Sequence, residues 1–268
     1  MNADLRLCRS LLFLPASNPR AIAKARGLAA DMVVLDLEDA VKAEDKEAAR
    51  AAAVEAAAEG FGGLCAIRIN PSEPWHAADL EAVAASRADY VIVPMTPGPE
   101  APRAAARATA KPVLAMIETA RGVLAAAAIA PETAGLIAGT NDLAADLGLR
   151  PGGDRLALRT ALQTILLAAR AAGVAAFDGV YNKLDDADGF AAQCAEGRAF
   201  GFDGKSLIHP AQVGPANRLF GPTGAEVEAA RRLLAAATGG AERFEGEMIE
   251  RMHVEQARRL LAKARVAL

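Results

Sequence analysis

The chain has 268 residues, of which 53% are hydrophobic but only 4% aromatic, and its 30 Lys+Arg against 33 Asp+Glu leave a net charge of −3. That balance excludes a basic nucleic-acid binder; one Trp and two Tyr exclude an aromatic stacking platform for RNA, and the aliphatic content excludes a disordered chain. Alanine supplies 67 residues, a quarter of the chain, so small side chains make up much of the hydrophobic fraction.

Short aliphatic runs alternate with long alanine-rich ones, the pattern of buried parallel strands and their crossover helices. The first strand is expected over Ser10–Pro15. Asn18-Pro19 follows as an N-cap with proline at the first helical position. Further strands are expected over Met32–Leu37, Leu64–Asn70, Tyr90–Met95, Pro112–Glu118, Gly135–Thr140, Ala175–Tyr181 and Gly204–His209. Gly60 and Gly173 stand where glycines end alanine-rich helices. Arg155–Ala172 reads as one long helix. Eight strands with helical crossovers predict an α/β fold, a (β/α)8 TIM barrel, with a doubly wound open sheet as the runner-up. Thr223-Gly-Ala-Glu226 is a capping box opening a helix to about Thr238. Gly239-Gly240 reads as a hinge, and a last helix is expected from about Glu247 to the end. The expected division is a barrel over residues 1–222 and a C-terminal helical extension over 223–268, acting as a lid or an oligomer contact.

Cys8, Cys65 and Cys194 are far apart and form no Cys-x-x-Cys pair, which points to a reducing, cytoplasmic setting. The apolar run Leu11–Pro15 is too short for a signal sequence, and no stretch approaches the ~18 apolar residues of a membrane span. No membrane and no nucleic acid are therefore expected as partners. His76, His209 and His253 are too dispersed for a zinc site, so a metal would be held by carboxylates.

In a barrel, catalytic groups project from the C-terminal ends of the strands. Those ends carry Asp36-Leu-Glu38-Asp39, Arg68-Ile-Asn70, Glu118-Thr119, Asn141-Asp142 and the segment Asp203-Gly-Lys205 to His209. Charges at the ends of apolar strands are costly unless paired or ligated. Glu118 and Asp142 follow neighbouring strands, about 4.8 Å apart, and can share one hard cation such as Mg²⁺. Arg68 can face a carboxylate or enolate oxygen. The alternative is that Glu118, Asp142 and Arg68 form a structural ion-pair network. Asp36, Glu38 and Asp39 alternate in direction if the strand continues: either Asp36 and Glu38 face inward, or Asp39 does from the loop, or one of them caps the next helix. Gly204-Lys205-Ser206 imitates the end of a phosphate-binding P-loop, but position 199 is Ala and the segment enters a strand. His209, before Pro210, reads as a loop anchor, and Cys65 as core packing.

Several segments, in order, resemble the HpcH/HpaI aldolase and citrate lyase superfamily on its citrate lyase β-subunit-like, CoA-ester lyase branch. They are Arg9-Ser-Leu-Leu-Phe-Leu-Pro15, Val34-Leu-Asp-Leu-Glu-Asp-Ala-Val41, Ile67-Arg-Ile-Asn70, Met116-Ile-Glu-Thr119, Gly139-Thr-Asn-Asp-Leu143, Gly201-Phe-Asp-Gly-Lys-Ser-Leu-Ile-His-Pro210 and the run Gln212 to Glu226. The resemblance implies Mg²⁺ on Glu118 and Asp142, with Arg68 and Glu118 at the substrate, and Asp36 and Glu38 behind them ordering water around the ion. Position 39 is Asp where the aldolase branch carries His, which favours the CoA-ester branch and adds Asp39 to the catalytic candidates. In that branch a C-terminal Met-Ile-Asp supplies an acid/base across a subunit boundary; here the run is Gly246-Glu-Met-Ile-Glu250, so Glu250 would replace it with one methylene more.

The activity implied is reversible retro-Claisen cleavage of a citryl-, malyl- or citramalyl-CoA type thioester into an acyl-CoA and a 2-oxo acid. Coenzyme A enters as part of the substrate, with Arg9, Arg20 and Lys24 as its candidate contacts. A homotrimer or hexamer is implied. The alternatives are a thioesterase on malyl-CoA-like esters, or a citrate lyase β subunit active only with its acyl-carrier and other subunits.

Overall fold

Every aliphatic run read as a strand forms one, and together they close a barrel. The computed structural model describes residues 4–150, 155–238 and 240–266. The strands are β1 (Ser10–Pro15), β2 (Met32–Asp36), β3 (Leu64–Arg68), β4 (Tyr90–Val93), β5 (Val113–Ile117), β6 (Gly135–Ala138), β7 (Ala175–Asp178) and β8 (Gly204–Leu207). They pair in sequence order, all parallel. The pairing of β8 with β1, Leu11 opposite Ser206, closes the ring and rules out the open sheet. Parallel neighbours need crossovers. These are α1 (Pro19–Ala25), α2 (Lys46–Glu59), α3 (His76–Ala85), α4 (Glu100–Thr109), α5 (Ala120–Ile129), α6 (Thr140–Asp146), α7 (Arg159–Ala172) and α8 (Ala187–Phe200). After β8 come α9 (Val213–Phe220), α10 (Gly224–Ala236) and α11 (Arg251–Val266).

Side chains alternate between two apolar layers, as the two-residue period of a strand requires. Leu11, Met32, Val34, Ile92, Leu114, Ile137 and Phe177 fill the barrel axis. Leu12, Val33, Leu35, Ile67 and Val91 face the helices, where they meet buried Ala49, Ala53, Ala126 and Ala169. The alanines sit where helix packs on strand: they favour the helix, and their small side chains let it approach the sheet. Gly60 (φ 80°) and Gly173 (φ 75°) end α2 and α7 in the positive-φ conformation that suits glycine.

Differences from the sequence reading fall at element ends. β1 matches its expected bounds, whereas β2 to β8 stop one to three residues earlier than expected at their C-terminal ends, and those residues build the loops of the barrel mouth. Arg155–Leu158 is a separate 3₁₀ turn ahead of α7. The last helix begins at Arg251, because a hairpin of β9 (Glu242–Phe244) and β10 (Glu247–Ile249) precedes it. Its two-residue turn, Glu245-Gly246, has positive φ at both positions (48° and 94°), the requirement of a type I′ turn. Of the expected hinge, Gly239 lies outside the described residues.

The capping box holds: Thr223 Oγ1 accepts from Glu226 N, and Glu226 Oε2 accepts from Thr223 N. The last helix, α11, is not a lid on its own mouth. Lys263 of α11 donates to the backbone oxygen of Asp203, which precedes β8, so α11 lies at the N-terminal base of the barrel.

Candidate active site

The mouth is organised by a buried guanidinium. Arg68 ends β3 directly opposite Asp36 at the end of β2. Its Nε and Nη2 donate to Asp36 Oδ1 (2.6 Å) and Oδ2 (2.7 Å), a two-point clasp that fixes the guanidinium plane. Asp36 also accepts from the backbone N–H groups of Glu38 and Ala40, both at 3.0 Å. Its acceptor capacity thus goes to protein, so it serves as the holder of Arg68 and cap of the loop rather than an organiser of water.

Arg68 Nη1 lies 2.8 Å from Glu38 Oε2 and 3.5 Å from Asp39 Oδ2. All three carboxylates converge because β2 ends at Asp36 and the chain bends there, so strand alternation no longer applies. Phe13 lies under the guanidinium, 5.4 Å from its ring centre. Burial, relieved in part by Arg68, pushes the Glu38 acid up to about 8.

A group that sequence reasoning missed braces this loop. Lys46 of α2 is buried, and its Nζ donates to the carbonyls of Leu37 (2.8 Å) and Glu38 (3.0 Å) and to Asn70 Oδ1 (2.6 Å). Asn70 donates in turn to Asp79, which pairs with Arg50. A lysine in an alanine-rich helix gives no linear sign of facing inward.

Glu118 follows β5 and is 2% exposed. Its Oε2 accepts from Met95 N at 2.6 Å. Met95 adopts φ 47°, a left-handed conformation uncommon outside glycine, and so presents its N–H to the site. Arg68 gives its donors to the β2 carboxylates, so the anticipated network of Arg68, Glu118 and Asp142 is not the one formed. Burial pushes the Glu118 acid up to about 7; the Met95 hydrogen bond and Arg68 oppose this, and the Asp142 charge adds to it. Gly139 packs against this side chain: a Cβ there would lie 2.2 Å from Glu118 Cγ. Asp142 stands exposed in the first turn of α6.

These residues fit a hard divalent cation. The donors are oxygens only, and Glu118 is desolvated, repelled by Asp142 and held in a cradle that admits no side chain at position 139. Among the described residues no three His, Cys, Asp or Glu side chains form a complete cage. Two carboxylates are within what Mg²⁺ uses, since it takes one or two and completes its shell with water and substrate oxygens.

Asp36, Asp39, Arg68, Glu118 and Asp142 line one cavity of about 310 Å³, with Phe13, Met116, Gly139, Ser206 and Ile208 among its other walls. A neighbouring hollow of about 630 Å³ shares Thr140, Asn141 and Val180 with it and carries Arg150 and Lys183. Arg9 is not at the mouth. It precedes β1, at the barrel base, where Nε and Nη2 bond Asp31 (2.8 Å each), and a residue before a strand cannot reach the C-terminal rim. Arg20 is exposed in the first turn of α1, on the mouth side, and Lys24 in its last. Glu250 lies just before α11, half-buried, with its N–H on His253 Nδ1 (2.9 Å), and lines no part of its own chain's pocket. His209 anchors a loop, accepting from Ala211 N (3.2 Å). Lys205 is fully buried against Asp178 (3.0 Å) and sits in a strand, as expected of a false P-loop.

Residues 9–210 match the HpcH/HpaI aldolase/citrate lyase family. The chain belongs to that family. It is 44% identical to a (3S)-malyl-CoA thioesterase of Cereibacter sphaeroides, over 96% of this chain and 94% of the relative. It is 40% identical to a citrate lyase subunit beta-like protein of Deinococcus radiodurans, over 98% and 99%. Its fold matches the crystal structure of protein CitE from Mycobacterium tuberculosis in complex with magnesium, acetoacetate and coenzyme A, with a TM-score of 0.81, 35% identity and coverage of 97% and 99%. The expected family, its citrate lyase β-like branch and its lyase class therefore hold for this chain.

Proposed function

We propose that the protein, with Mg²⁺, reversibly cleaves a short hydroxy-carboxyacyl-CoA thioester of the malyl-CoA type into an acyl-CoA and a 2-oxo acid. The observation that carries this reading is one pocket holding a desolvated carboxylate, Glu118, near a rim carboxylate, Asp142, together with a guanidinium clasped at two points. Glu118 and Asp142 would hold the ion, which when bound supplies Lewis-acid polarisation of the hydroxy-acid end.

The chain's own groups do the rest. Asp36 fixes Arg68 so that its Nη1 edge meets the thioester oxygen as enolate charge develops there, a stabilisation that needs no reorganisation. Asp39, exposed on the pocket wall, is the candidate base for the hydroxyl proton. The carbon–carbon bond then breaks, its electrons pass to the enolate, and the hydroxyl carbon becomes the carbonyl of the 2-oxo acid. Glu250 of a second copy would return a proton to the enolate carbon; its distance from its own pocket is what an arrangement across subunits requires. Residues 223–268 would then be an oligomer-facing unit of a homotrimer or hexamer. Arg20 on one side, and Arg150 and Lys183 on the other, are the cations available to the phosphates of coenzyme A, whereas Lys24 sits at the end of α1 away from the mouth.

A second reading is hydrolysis of the same ester, favoured by the 44% identity to a malyl-CoA thioesterase. The test is a product profile from malyl-, citramalyl- and citryl-CoA with Mg²⁺. Acyl-CoA and 2-oxo acid in equal amounts support cleavage, whereas free CoA with the intact hydroxy acid supports hydrolysis. Turnover only with an acyl-carrier partner would support the citrate lyase subunit and contradict both.

A further inference from the structure

We infer that Ser206 reads the small end of the substrate, donating a hydrogen bond to an oxygen of the 2-oxo acid half at the pocket floor. This rests on the ester-cleaving reading above and adds a specificity residue to it. Ser206 lies in β8 between Lys205, which turns outward to Asp178 and to Gln193 of α8, and Leu207, which packs in the outer layer. Strand alternation therefore turns Ser206 toward the barrel axis. It is 1% exposed and lines the mouth cavity.

Its Oγ has no hydrogen-bond partner among the described residues, whereas Asp36, Arg68 and Glu118 in the same cavity all have one. Phe13, Met116 and Ile208 line the same cavity, so its wall has apolar members beside the charged groups and the Ser206 hydroxyl. A buried hydroxyl without a partner destabilises the fold, and alanine would fill the position at no such cost. The hydroxyl is thus a donor left over by the protein and available to a ligand oxygen in the cavity. The nucleotide arm of a CoA ester is too large for about 310 Å³, so the acyl end enters first and brings its carboxylate-bearing half toward the floor.

The test is Ser206→Ala. Thermal unfolding should show a melting temperature equal to or above that of the wild type. Titration calorimetry with glyoxylate and with pyruvate, each with Mg²⁺, should show dissociation constants raised about tenfold or more, as for loss of a hydrogen bond to a charged oxygen. KM for the ester should rise similarly, with kcat within about threefold, and the affinity for free coenzyme A should not change. Unchanged acid affinity, or a lower melting temperature, would overturn the assignment and make the hydroxyl a structural or solvent-bound group. If the wild type binds the acids and the variant binds them equally, only the role of Ser206 fails. A wild-type chain that binds neither acid overturns the ester reading as well.

Discussion

In the proposed function Arg68 would be both structural and reactive. Two of its nitrogens belong to Asp36, and the third meets Glu38 and Asp39 at the pocket. A lysine there would keep the charge but could not span both Asp36 oxygens. Arg68→Lys is expected to lower kcat/KM by about a hundredfold or more, the scale of losing one preorganised oxyanion donor, while Mg²⁺ affinity stays within a few-fold. Steady-state kinetics beside a metal titration checks this, and equal losses in both would mean that the guanidinium only supports the metal carboxylates. The charged members of this set were legible in the sequence because charges at the ends of apolar strands stand out. Ser206, Gly139 and Met95 were not, because a hydroxyl, a missing Cβ and a left-handed backbone acquire meaning only once the strands are closed into a ring.

At the scale of elements, the β2–α2 loop is held by a helix behind it. Lys46 places its ammonium on two carbonyls of the loop and on Asn70, and stacks over Trp75 at 5.0 Å. Lys46→Met removes the donor: Leu37 O keeps Asn70 Nδ2 (2.9 Å) and Glu38 O keeps the N–H of Val41 (3.0 Å), so Asn70 Oδ1 is the acceptor that loses its partner, at about 1–3 kcal/mol for an unsatisfied group. Urea unfolding is expected to show about 2 kcal/mol of lost stability, and kcat is expected to fall as the loop carrying Glu38 and Asp39 loosens. A stability within ~0.5 kcal/mol of the wild type would show that the brace is dispensable. Element type and order could be read along the chain because the aliphatic strands and alanine-rich helices differ in composition. Element ends could not, because residues such as Leu37, Ile69 and Val180 keep strand-like character after the ladder has stopped. The β9–β10 hairpin was missed for a related reason: its strands have three residues each and lie in a polar stretch. Arg9 was misplaced by treating nearness in sequence to the first strand as nearness to the mouth.

For the whole molecule, the barrel is a stable frame that keeps destabilising charge at one end. Burial raises Glu118 from its ordinary 4.5 to about 7 and Glu38 from 4.5 to about 8. Between those values the folded chain binds more protons than the unfolded one, so this contribution to stability is complete below 4.5 and is lost as pH rises through 7 and 8. Mg²⁺ needs the ionised carboxylates. Saturating Mg²⁺ is therefore expected to raise the melting temperature by several degrees at about pH 8.5 and hardly at all at about pH 5; an equal rise at both would show that it binds elsewhere. Three free, buried cysteines and, among the described residues, no helix long and apolar enough to cross a membrane complete this frame. In the proposed function Glu118 makes the mouth a metal-dependent site for breaking a carbon–carbon bond. The most direct test of this is the rate of 2-oxo acid release from malyl-CoA by the wild type with Mg²⁺, by the wild type with a chelator, and by Glu118→Gln with Mg²⁺. The expected result is stoichiometric 2-oxo acid and acyl-CoA from the first, none from the second, and at least about a hundredfold slower release from the third; undiminished release by Glu118→Gln, or by the chelated enzyme, would contradict it.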